Sequence, residues 1–163
     1  AWAFATLGLG EAELLDALAE AALPQLRAFK PQELSNFAWS LSKLRWRKPA
    51  LFRAISREAA AAADSFSPQQ LANIAWAFGK AAVQDEDALA PLHVLARAAV
   101  AQLDHFAPQG LANLAWAWAA LRREEPGLLE AVASEVSVKI GSFKLQELSN
   151  LVWAFAKLQT VDH

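Results

Sequence analysis

Four side chains recur together along this chain: a glutamine, an asparagine, a tryptophan and a lysine at i, i+4, i+7 and i+11. They read Gln32, Asn36, Trp39 and Lys43, then Gln69, Asn73, Trp76 and Lys80. The third set is Gln109, Asn113 and Trp116 with Ala120 in the lysine position, and the fourth is Gln146, Asn150, Trp153 and Lys157. A carboxamide both donates and accepts hydrogen bonds, a lysine supplies a positive charge, and an indole offers a face for stacking. This is chemistry for holding a ligand, not for making or breaking bonds. The chain has no cysteine, and its three histidines, His93, His105 and His163, share no metal-ligand spacing and belong to no triad. His105 beside Asp104 reads as a pair at a helix end, and Gly79-Lys80 lacks the glycine-rich loop of a phosphate cradle. Asp85, Glu86 and Asp87 form an acidic cluster suited to a helix N-terminus. The expectation is a binding protein that is not an enzyme and that needs no metal and no cofactor.

A stripe at i, i+4, i+7 and i+11 exists only on a helix. Each set sits in a copy of one segment: FKPQELSNFAWSLSK from Phe29, FSPQQLANIAWAFGK from Phe66, FAPQGLANLAWAWAA from Phe106 and FKLQELSNLVWAFAK from Phe143. A truncated fifth copy opens the chain at Ala1 to Leu7. The tryptophans Trp2, Trp39, Trp76, Trp116 and Trp153 stand 37, 37, 40 and 37 residues apart, a period that signals a repeat solenoid. The expected fold is therefore all-α, one α-solenoid over residues 1–163 built of stacked antiparallel helical hairpins. Its repeats are approximately 1–28 (partial), 29–65, 66–105, 106–142 and 143–163 (partial).

Each copy starts as a helix should. Ser67 suits an N-cap, Pro68 the first helical position and Gln70 the return half of a capping box. Pro31 and Pro108 take the same place in their copies, and Leu145 is the exception. Leu34, Phe37, Ala38, Leu41 and Leu44 then follow the amphipathic spacing of what is termed helix A. A second pattern, helix B, aligns Leu15, Phe52, Leu92 and Leu129, and likewise Leu18, Ile55, Leu95 and Val132. Pro49 and Pro126 open two of the B helices, and Phe29, Phe66, Phe106 and Phe143 close all four as hydrophobic staples for the next helix A. Nine helices result, an A followed by four B–A pairs.

The front of helix A admits two readings. In one, the amides run as a ladder that satisfies buried polar groups while each tryptophan packs on the next repeat. In the other, the front lines a groove where amides and lysines meet a nucleic-acid backbone and tryptophans stack on bases. Charge bears on the choice. The A helices with their following turns, Arg45, Arg47, Arg122 and Arg123 included, hold ten bases against Glu33 and Glu147. The B helices hold five bases against fourteen acids. A net charge of −2 thus conceals a basic layer and an acidic one. A basic layer suits a polyanion, while bases at the ends of A helices and acids at the starts of B helices also suit the helix dipoles. Selectivity among bases would come from positions that vary between copies: Glu33, Gln70, Gly110 and Glu147. No apolar run reaches the length of a membrane span, so no membrane insertion is expected. Repeats cut at both ends suggest a slice of a longer protein.

The FxPQxLANxAWAFAKL unit and its Trp-Ala core resemble the octotricopeptide and heptatricopeptide repeats of organellar proteins in algae and protists. They also resemble the repeats of the Fas-activated kinase-like proteins of mitochondria, which often end in a RAP domain. The resemblance implies an α-solenoid that binds organellar RNA and acts in RNA stability, processing, translation or ribosome structure, in mitochondrion or chloroplast. Carried over by position, the candidate RNA-binding residues are Gln32, Asn36, Lys43, Gln69, Asn73, Lys80, Gln109, Asn113, Gln146, Asn150 and Lys157, and the basic layer adds Arg45, Arg122 and Arg123. The expected partner is RNA, single-stranded or structural, within an assembly such as an organellar ribonucleoprotein. The alternative is a scaffold that binds protein partners.

Overall fold

A computed structural model describes residues 12–45 and 48–159, and every regular element among them is helical. In chain order these are α1 (Ala12–Ala22), α2 (Pro31–Lys43), α3 (Pro49–Ala61), α4 (Pro68–Ala81), α5 (Glu86–Leu89), α6 (Leu92–Val100), α7 (Pro108–Leu121), α8 (Leu128–Lys139) and α9 (Leu145–Gln159). Helices α2, α4, α7 and α9 are the four complete A segments. The truncated copy with Trp2, and Arg47 of the basic layer, lie outside the described residues.

Local chemistry sets the A-helix starts. The Ser67 hydroxyl accepts the Gln70 backbone N–H at 3.4 Å, and the Ser67 N–H donates to Gln70 Oε1 at 3.0 Å, closing a capping box. Glu33 and Glu147 each accept the N-cap backbone N–H, from Lys30 and Lys144, at 2.8 Å. That bond holds the start of α9 where Leu145 replaces proline. At α7 the matching residue is Gly110, which has no side chain to return, and no side chain caps Ala107.

The A helices end on a repeated irregularity. Arg45, Ala82 and Arg122 occupy equivalent places after α2, α4 and α7, with φ of 54°, 50° and 53°. This left-handed conformation normally belongs to glycine, because a Cβ crowds the backbone there. The B helices end in 3-10 turns, Leu23–Ala28, Ala63–Ser65, Leu103–His105 and Ile140–Ser142, each immediately before its phenylalanine. Phe66 and Phe106 are buried there, as a staple requires.

Two B-helix boundaries differ from expectation. In the 40-residue step the acidic cluster starts a separate short helix, α5, with Asp85 as its N-cap accepting the Ala88 N–H at 3.2 Å, and Pro91 precedes α6. Pro126 does not open α8; it lies in a turn, and Gly127 at φ 80° is the N-cap, a conformation open to glycine.

The A helices lie side by side, α2 on α4, α4 on α7 and α7 on α9. The B elements make a second layer, with α3 on α5 and α6, and α6 on α8. The core lies between the layers, where Phe52 meets Phe78 edge-on at 5.1 Å and Ile55, Ile74, Leu95, Leu111, Leu114 and Val132 are buried. Close approach of the A helices depends on a stripe of small residues, of which the amphipathic spacing picked out Ala38 alone in α2. Ser35, Ala38 and Ser42, then Ala72, Ala75 and Gly79, then Ala112, Ala115 and Ala119 are all buried. The Ser35 and Ser42 hydroxyls donate to the Gln32 and Trp39 carbonyls at 3.0 and 2.7 Å, so their burial leaves nothing unpaired. A Cβ on Gly79 would sit 3.0 Å from the Ala117 Cα, so here hydrogen is the only substituent that fits without movement. No described helix is long and apolar enough to cross a membrane.

Candidate functional site

Side-by-side packing of the A helices aligns the repeated residues into rows that cross from helix to helix. The amides lie in the N-terminal half of each helix, the tryptophans near the middle and the lysines at the C-terminal end. From Gln32 to Lys43 is eleven positions, so each lysine sits about 16 Å along the axis from its glutamine. The structure therefore gathers the amides with one another but keeps them apart from the lysines.

Two neighbouring gaps in the amide row are clefts. Between α4 and α7 a cleft of about 450 Å³ is lined by Gln69, Asn73, Gln109 and Asn113, with Ser67, His105, Phe106 and Gly110 around them. Between α7 and α9 a smaller one, about 180 Å³, is lined by Gln109, Asn113, Gln146 and Asn150 with Lys144 and Glu147. Among the described residues, the side chains of Gln69, Asn73, Gln109, Asn113, Gln146 and Asn150 hydrogen-bond to no protein group. The asparagines are partly buried and the glutamines exposed. Such amides have donors and acceptors to offer, and the cleft is where they offer them.

The gap between α2 and α4 is different. Gln70 Nε2 donates to Gln32 Oε1 at 3.0 Å, and Gln32 Nε2 donates to Asn36 Oδ1 at 3.0 Å. The expected amide ladder thus exists in this gap alone of the three. Glu33, Gln70 and Glu147, read from the sequence as positions for selecting bases, are all engaged in holding helix starts. Ser67 and His105, which line the larger cleft, were not among the expected binding residues. Their position just before or beside the recurring phenylalanine is the signal that would have pointed to them. His105 Nδ1 also lies 3.5 Å from Asp104 Oδ2, the pair read from the sequence.

The tryptophans stack on each other. Trp76 and Trp116 have ring centroids 6.4 Å apart, and Trp116 and Trp153 stack at 6.1 Å with planes 29° apart. Trp116 thus has an indole on both sides, which agrees with a packing role across the A layer. Trp39 instead carries the Lys43 ammonium 5.6 Å above its ring.

The cations divide. Lys80, at the end of α4, and Arg45 and Arg122, in their left-handed turns, are exposed. Arg123 Nη1 lies 2.7 Å from Glu86 Oε2 of α5, and Lys48 Nζ lies 2.8 Å from Asp16 Oδ1 of α1. Within the acidic layer Arg53 of α3 joins Asp85 at 3.1 Å, while Arg123 and Lys48 belong to the basic one. Part of the basic layer therefore faces the acidic layer across the turns and is neutralised there. Lys157 is half-buried near the end of α9.

The family model described as Tbc2 translation factor, N-terminal domain, matches residues 2–163. That match corrects the family drawn from the repeat motif, which was the octotricopeptide and heptatricopeptide group. No curated protein matches the chain.

Proposed function

The chain belongs to the Tbc2 translation factor N-terminal domain family, and from that premise we propose that it is the RNA-binding part of a translation factor. In this reading each 37-residue repeat is one turn of an α-solenoid and gives one helix to each layer, and single-stranded RNA runs across α2, α4, α7 and α9. The observation that carries the proposal is the row of six carboxamides without protein partners in two adjoining clefts. Base edges present mixed donors and acceptors, and single-stranded RNA exposes them for reading by groups of this kind. Lys43, Lys80, Arg45 and Arg122, towards the other end of the A helices, supply attraction for the phosphate backbone. The protein acts as a binder and not as an enzyme, in an organelle, inside a ribonucleoprotein assembly.

A salt titration tests this. Affinity of the full chain for single-stranded RNA falls as salt rises, because bound cations release counterions from the backbone. Negligible affinity at low salt, or affinity indifferent to salt, contradicts the proposal.

A second reading, a protein-binding scaffold, is favoured by one feature. Leu145, Val152 and Trp153 expose 86%, 69% and 44% of their surface along α9, where the matching Ala115 of α7 is covered. Nuclease-resistant recovery of a protein partner with no RNA supports that reading over the first.

A further inference from the structure

The three gaps between A helices differ at one residue position, and that difference sets what each gap can hold. In α4 the position is Gln70, whose amide reaches across to Gln32 at 3.0 Å and bridges the gap to α2. In α9 it is Glu147, which lines a cleft of about 180 Å³ beside Lys144. In α7 it is Gly110, and the cleft beside it is about 450 Å³. Gln69, the counterpart of Gln32, has no residue opposite to bridge it, and it shares the cleft with Asn73, Gln109 and Asn113.

Resting on the RNA-binding reading, we propose that the α4–α7 cleft receives one base of the bound strand, that it favours a purine, and that Gly110 is the residue that makes it do so. A purine is the larger, two-ring base, and of the two open clefts this is the roomier, about 450 Å³ against about 180 Å³. Pro68 and Ala107 offer apolar surface to the ring system, while Gln69, Asn73, Gln109 and Asn113 offer donors and acceptors to its edge. A single-ring base enters the same space but covers less of that apolar surface, and so gains less.

Gly110→Gln is the informative change. It reproduces the residue that bridges the neighbouring gap, and it restores both a capping-box partner for Ala107 and a better helix former. The new Cβ would meet Phe106 Cδ1 at 3.1 Å, a contact with a phenylalanine ring edge rather than with backbone. Gln70 already follows Phe66 at the same spacing in α4. That precedent is why the variant is expected to hold its melting temperature, which separates loss of binding from loss of fold. Gly110→Ala adds only the Cβ and serves as the second variant.

The experiment measures binding of the full chain and both variants to short single-stranded oligo(A) and oligo(U) at low salt, with melting temperatures. The wild-type chain prefers oligo(A). Gly110→Gln loses roughly tenfold in affinity for oligo(A), changes little towards oligo(U), and melts no lower, while Gly110→Ala keeps most of the preference. Equal binding of oligo(A) and oligo(U) by the wild type, or an unchanged preference in Gly110→Gln, overturns this inference and leaves RNA binding standing. Absence of binding to either oligomer overturns the RNA-binding reading itself.

Discussion

Asn73 and Asn113 sit in similar surroundings, partly buried and without a protein partner. Their removal costs no bond within the protein. Replacing both with alanine is expected to shift stability by no more than about 0.5 kcal/mol, as at an ordinary surface site. The same change weakens RNA binding by about tenfold or more if each amide meets a base, since a lost polar contact there is worth 1–3 kcal/mol or so. Calorimetry paired with a binding isotherm checks both halves. Trp116 behaves in the opposite way. Flanked by Trp76 and Trp153, it is expected to cost about 3 kcal/mol or more on change to alanine, measured by denaturant unfolding. The sequence made both residues conspicuous by their period, but repetition alone cannot separate a packing residue from a recognition residue. Distance to the neighbouring copy separates them: Trp116 reaches Trp76 and Trp153, while Asn73 and Asn113 hydrogen-bond to no neighbour.

Among the elements, the A helices were legible in detail from Ser67, Pro68 and Gln70 at a helix start, and from leucines at helical spacing. The stripe of small residues was less legible, because Ser35 and Ser42 look like an ordinary polar surface until a neighbour covers them. Gly79 is the sharpest case. Its change to valine pushes a branched side chain into the Ala117 backbone and is expected to destabilise by roughly 1–3 kcal/mol, read from the unfolding midpoint. Ala82 gives the converse test. At φ 50° it holds a conformation that glycine adopts freely, so Ala82→Gly is expected to raise stability, by up to about 1 kcal/mol. The helix breaks at α5 and at Gly127 escaped the sequence reading because Pro91 and Pro126 are ambiguous signals: proline suits a first helical turn and a preceding turn equally well.

For the molecule as a whole, charge was the least transparent feature. Counting bases and acids by layer was correct as arithmetic, but it could not foresee that Arg123 and Lys48 reach across the turns to Glu86 and Asp16. These pairs are partly exposed and add little stability. Their effect is on the field, since they shift the attraction for a polyanion towards Lys43, Lys80, Arg45 and Arg122. Replacing Lys43, Lys80 and Lys157 together is accordingly expected to leave the helical signal intact, weaken RNA binding and flatten its salt dependence. A shallower slope of affinity against salt is the diagnostic, because the slope counts phosphates neutralised.

The most direct measurement of where RNA lies is ultraviolet cross-linking of a single-stranded oligonucleotide to the full chain, with the attached peptides identified by mass spectrometry. Adducts are expected in the N-terminal halves of α4, α7 and α9, at peptides containing Asn73, Asn113 or Asn150. Adducts confined to α3, α6 and α8, on the acidic layer, contradict that placement.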